Sequence, residues 1–105
     1  MEKQETIDFL KEVVRTRRRL IKKGISKKSQ RATERATDFI ERHLEYNEKR
    51  WTKLGLARFF CRHQDQIRMI IPGELSGSHR ALMKKFHRIS FLCETETGMA
   101  EIDAS

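Results

Sequence analysis

Residues 67–75 read Ile67-Arg68-Met69-Ile70-Ile71-Pro72-Gly73-Glu74-Leu75. Apolar side chains at 67, 69, 70 and 71 close a helical stripe. Pro72 then removes a main-chain donor and clashes with the preceding turn, and Gly73 accepts the left-handed backbone that ends helices. Glu74 follows, and a carboxylate just past a stop suits the positive end of a new helix. The stretch therefore predicts a helix ending near Ile71 and another beginning soon after.

Outward from that punctuation, helical spacing continues in both directions. Leu10, Val13, Val14, Leu20 and Ile21 predict a helix over about 6–22 with one apolar face. Gly24 should stop it, because a glycine after lysines in the last turn is a common helix end. Ser26, or Ser29 if the loop is longer, is the expected cap of the next helix. From 27 to 54 there is no Gly or Pro. There Ala32, Ala36, Phe39, Ile40, His43, Leu44, Asn47, Trp51 and Leu54 form one stripe, predicting a rod of about 40 Å. Such a rod is too long for one short helix on each side to cover in a compact monomer. Gly55 offers the next break, and a third helix is predicted over 60–71. A fourth follows Ser78, with Leu82, Phe86, Ile89 and Cys93 on one side and Arg80, Lys84, Lys85 and Arg88 mostly on the other. Alternating apolar patterns and Asn-Gly turns are missing, so the expected class is all-α.

The charge layout points to a polyanionic partner. The chain of 105 residues carries a net +8, and cations gain free energy by releasing counterions condensed on nucleic acid. Arg15, Arg17, Arg18, Arg19, Lys22, Lys23, Lys27 and Lys28 follow one another without an acidic residue. After Cys93 the sign reverses: Glu94, Glu96, Glu101 and Asp103 occupy a stretch without Lys or Arg. Residues 1–93 are thus read as one domain and 94–105 as an acidic, mobile tail. No apolar run reaches the roughly 18 residues that span a bilayer, and no signal-peptide core is seen. The expectation is a soluble, intracellular protein, with Cys61 and Cys93 as small buried hydrophobes.

Three segments together resemble the histone 2B family. Ile67 to Leu75 resembles that family's Arg-Leu-Leu-Leu-Pro-Gly-Glu-Leu, Gly24-Ile25-Ser26 its first-loop Gly-Ile-Ser, and Asp38 with Glu41-Arg42 its Asp-x-x-Glu-Arg. The likeness covers roughly residues 6–90, with spacings that agree to about one residue. It implies a histone fold, in which a short, a long and a short helix are followed by a C-terminal helix. It also implies an obligate heterodimer with a histone of the 2A type, joined by the other core histones on double-stranded DNA in the nucleus, or in a viral particle. In that arrangement paired loops and helix N-termini face phosphate, and arginines enter the minor groove.

On this resemblance the DNA-binding residues are Arg15, Arg17, Arg18, Arg19, Lys22, Lys23, Ser26, Lys27, Lys28, Lys53 and Arg58. The partner-binding residues are Phe39, Ile40, Leu44, Trp51, Ile67, Ile70, Ile71 and Leu75, whose alternative is an intrachain core. Glu74 matches the first of two family glutamates that build an acidic patch, while the second falls at the uncharged Leu82. The departures are also specific. The chain starts almost at its first helix, so a tailless variant is implied. The family's second loop, Arg-Ser-Thr-Ile-Thr, is matched to Gly55-Leu56-Ala57-Arg58, which offers only the arginine.

Other chemistry finds little footing. His43, His63, His79 and His87 lack Cys or carboxylate at ligand spacing beyond Cys61-Arg62-His63, and no nucleophile or phosphate loop accompanies them. No enzyme, metal or cofactor is expected. Two alternatives remain: a histone-fold subunit of a transcription or chromatin complex, and a helix-turn-helix regulator built on residues 56–71.

Overall fold

The computed structural model describes residues 1–24, 27–68 and 77–104, the side chains at 27, 28, 77–79 and 101–104 excepted. The described residues are all-α, without a strand, in five helices: α1 (Lys3–Lys23), α2 (Lys27–Asn47), α3 (Lys53–Arg62), α4 (Gln64–Arg68) and α5 (Gly77–Ala104). None is long and apolar enough to cross a membrane.

α1 begins after Glu2 and carries Glu5 in its first turn and Lys22 and Lys23 in its last, each charge favourable to the helix dipole. It ends at Gly24 as the sequence predicts. Gly24 has φ 91°, and its N–H bonds to the Ile21 carbonyl at 3.1 Å. A side chain at that φ would be strained, so glycine is required.

The expected rod is shorter than predicted. α2 stops at Asn47, giving 21 residues and a length of about 31 Å. The Asn47 carbonyl accepts from the N–H groups of both Arg50 and Trp51 at 2.8 Å, turning the chain. Thr52 then caps α3, its hydroxyl accepting from the Gly55 N–H at 3.0 Å. The physical reason lies in the stripe: after Leu44 the run Glu45-Tyr46-Asn47-Glu48-Lys49-Arg50 has no side chain to bury in the core. Gly55 is therefore not the break but the third residue of α3. A Cβ there would approach the Thr52 hydroxyl to 3.1 Å, so the glycine leaves room for the cap.

The third predicted helix is divided as well. α3 ends at Arg62, His63 intervenes, and α4 starts one residue later. The decisive segment from Met69 to Ser76 lies outside the described residues, and so do Ile70, Ile71, Glu74 and Leu75. α5 has 28 residues and reaches Ala104, which corrects the expectation of a separate acidic tail after Cys93. Glu94 accepts a hydrogen bond from Gln64 at 3.1 Å, and Glu96 pairs with Lys53 at 3.1 Å. The acidic end of α5 is thus tied to α3 and α4.

One core joins the helices. α1 and α2 pack as an antiparallel hairpin, α5 lies mainly against α3, and α1 also touches α5. Ile7, Leu10, Val13, Ile40, Leu56, Phe60, Ile67, Phe86 and Cys93 are almost completely buried. Each large apolar side chain so buried is worth about 1.5–3 kcal/mol relative to exposure. Phe60 bridges the two halves, with ring centres 6.1 Å from Phe9 and 5.6 Å from Phe86. Both cysteines are free thiols, Cys93 buried and Cys61 half-buried. Burial pushes the Cys93 thiol up to about 12.

Candidate nucleic-acid interface

The outward stripe of α1 changes sign along its length. Glu5, Asp8 and Glu12 occupy the first half, and Arg15, Arg19, Lys22 and Lys23, all exposed, occupy the second. α5 answers the acidic half: Arg88 pairs with Glu5, and Lys85 with Glu12 at 3.1 Å. Among the described residues no carboxylate pairs with Arg15, Lys22 or Lys23.

Two of the expected DNA-binding arginines are otherwise engaged. Arg17 is 3% exposed, and its Nη2 donates to the Ile67 carbonyl at 2.7 Å. Burial lowers its pKa to about 10, which leaves it cationic at neutral pH. It braces α4 against α1 and cannot reach a ligand. The cause is helix phase: Arg17 shares the core face with Val13, Val14 and Leu20. Arg18 donates to Asp38 at 2.6 Å and to Glu41 at 3.2 Å, joining α1 to α2. The hydrogen bond to Asp38 is the largest cause holding its pKa above the ordinary value. Asp38 and Glu41, two of the residues carrying the family resemblance, thus serve the hairpin.

The remaining expected residues divide three ways. Arg58 is exposed on α3, and Lys53 is exposed but paired with Glu96. Lys27 and Lys28 open α2, while their side chains, like Ser26, lie outside the described residues. Ser29 falls inside α2 and does not cap it. The alignment of the second loop with residues 55–58 is also corrected. The loop after α2 is Glu48 to Thr52, and it contains exposed Lys49, Arg50 and Thr52. An arginine and a hydroxyl at a helix start are therefore both present there.

Sequence reasoning missed the cations of α2. Arg31, Arg35 and Arg42 are exposed on one face, and no carboxylate among the described residues pairs with them. Their spacing of four and seven was the available signal, since such positions share a helix face.

Three of the five described partner residues fill the chain's own core. Ile40, Leu44 and Ile67 are 0%, 6% and 0% exposed. Phe39 and Trp51 are half-buried at its edge, in a group of rings formed with His43, Phe59 and His63. His43 and His63 stack with ring centres 6.2 Å apart. The pKa of His63 is lowered, first by burial and then by the charges of His43 and Arg62. No cluster of three His, Cys, Asp or Glu able to hold a metal occurs among the described residues.

No protein-family model matches the chain, and no curated protein or solved structure is significantly similar to it.

Proposed function

We propose that the chain is a histone of the 2B type that pairs with a histone of the 2A type and packages duplex DNA through backbone phosphates. The observation that carries the DNA reading is the uncovered basic end of the α1–α2 hairpin. Arg15, Lys22 and Lys23 on α1 and Arg31 and Arg35 on α2 flank the Gly24 turn, while Asp38 and Glu41 are taken up by Arg18 and Glu34 accepts from Gln30. Such a surface attracts any polyanion, whatever its base sequence.

The layout of the loops supports the histone form of this reading. Basic residues occur at both ends of α2, at Lys22 and Lys23 on one side and at Lys49, Arg50 and Lys53 on the other. A partner crossing α2 would bring a loop of one subunit beside the opposite loop of the other. The protein would then act on chromatin in the nucleus, or in a viral particle, without enzymatic activity.

A second reading follows from the closed core. Ile40, Leu44 and Ile67 are already covered within one chain, which favours a basic helical DNA-binding domain that needs no partner to fold.

Size-exclusion chromatography with light scattering, on the chain alone and co-expressed with a 2A-type histone at high and low salt, tests the proposal. A one-to-one complex supports the histone reading. A folded monomer that ignores the partner yet binds duplex with steep salt dependence supports the second. A monomer without affinity for duplex overturns both.

A further inference from the structure

The outer face of α2 ends in a feature that phosphate binding does not use. Tyr46 is 66% exposed, and the guanidinium carbon of Arg50 lies 4.4 Å from its ring centre. Beside the ring, Arg42, His43, Tyr46 and Asn47 line a depression of about 360 Å³. That volume lies at the lower end of those that hold small molecules. The exposed arginines 31, 35 and 42 lead along the same helix toward it.

This combination has a specific chemical complement. An exposed aromatic ring offers a stacking platform, which suits any base because every base has a π face. The Arg50 guanidinium steadies the ring by a cation–π contact. Asn47 carries both a donor and an acceptor, so its amide can meet a base edge. Arg42 and Lys49 stand one turn or less from Tyr46 on either side in sequence and carry charge for the flanking phosphates. A duplex keeps its base faces stacked inside, so only an unpaired nucleotide can use such a platform.

We propose that the Tyr46 depression holds one unpaired base of a DNA strand, with Tyr46 stacking on it and Arg42 and Lys49 holding the flanking phosphates. The inference rests on the reading of the basic surface as a nucleic-acid interface. It adds a preference for single-stranded or locally opened DNA over the closed duplex at this end of α2.

Fluorescence anisotropy tests it with the full chain and three labelled probes of about a dozen nucleotides: oligothymidylate, the same backbone without bases, and a duplex. Tyr46→Ala is expected to weaken oligothymidylate binding about ten-fold and to leave the abasic strand and the duplex unchanged. Tyr46→Phe keeps the platform and should bind as the parent does. Because the ring is exposed, both variants should fold, which circular dichroism verifies. If Tyr46→Ala alters all three probes equally, or none, the base site is overturned while the phosphate reading stands. If Tyr46→Ala instead weakens only association with a partner chain, the face is a protein interface and the base site is overturned. If the parent protein binds none of the probes, the phosphate reading falls as well.

Discussion

The guanidinium of Arg17 and the main-chain carbonyl of Ile67 meet at 2.7 Å inside the molecule, joining the middle of α1 to the end of α4 across 50 residues of sequence. Ile67 lies on α4, and its side chain is itself fully buried, so the bond sits inside the core. The second guanidinium nitrogen, Nη1, has no hydrogen-bond partner among the described residues.

Arg17 should therefore behave as a structural residue. Arg17→Ala is expected to cost about 2–4 kcal/mol, through the lost bond to Ile67 and a cavity. Arg17→Met fills the space without a buried charge and should cost clearly less. Urea denaturation reads both. Neither change should alter the salt dependence of DNA binding at conditions where the variant is folded, whereas a loss of slope in Arg17→Met would return this residue to the interface.

The exposed cations make the opposite expectation. Each phosphate contact contributes about −0.9 to the slope of log K against log salt. The double variant Arg31→Ala, Arg35→Ala should reduce that slope by roughly two if each arginine meets one phosphate. Stability should stay nearly unchanged, because neither side chain is buried or paired among the described residues. Filter binding over a salt series measures the slope, and an unchanged value would remove these arginines from the interface.

Thr52 separates α2 from α3 through its bond to the Gly55 N–H. Thr52→Ala should cost about 1 kcal/mol by loss of the cap, read as a lower melting temperature. Thr52→Ser retains the hydroxyl and is expected to restore most of it. Equal melting of all three proteins would show that the break between the helices does not depend on the cap.

His63 supplies a pH dependence with a definite sign. Its folded-state pKa lies below the ordinary value of 6.5, chiefly because burial disfavours the charged form. The unfolded chain then takes up the proton more readily than the folded one. The stability held at high pH should fall as pH drops below 6.5 and level off once the folded state is protonated too. His63→Phe removes the titration while keeping a ring beside Phe39 and Phe59, and should flatten the profile in chemical denaturation between neutral and mildly acidic pH. A profile that the substitution leaves unchanged would assign the effect to other groups.

Much of the fold is legible in the sequence. The α1 stripe and the Gly24 stop depend on interactions within a few residues, and such local signals survive in any tertiary setting. The end of α2 was not legible in the same way. Without Gly or Pro the segment 27–54 reads as continuous, and the decision to turn at Asn47 comes from Trp51, which gains contact with Phe59, their ring centres 5.0 Å apart. The acidic end of α5 likewise reads as a tail, because its tie to Lys53 and Gln64 depends on residues far away in sequence.

The candidate interface divides along the same line. Composition and charge runs alone marked the region from Arg15 to Lys28 as basic and the chain as a partner for a polyanion. They could not show which cations face water, because that depends on the rotation of each helix against its neighbours. Packing turned Arg17 inward and bound Arg18 to Asp38 and Glu41, while it left Arg31, Arg35 and Arg42 on the surface. The sequence by itself determined the helical class, the first stop and the sign of the surface, since these follow from local spacing and summed charge. Only the tertiary structure decided where the second helix ends, that the apolar stripe of α2 is covered within one chain, and which arginines are exposed, since burial is set by contacts between residues distant along the chain.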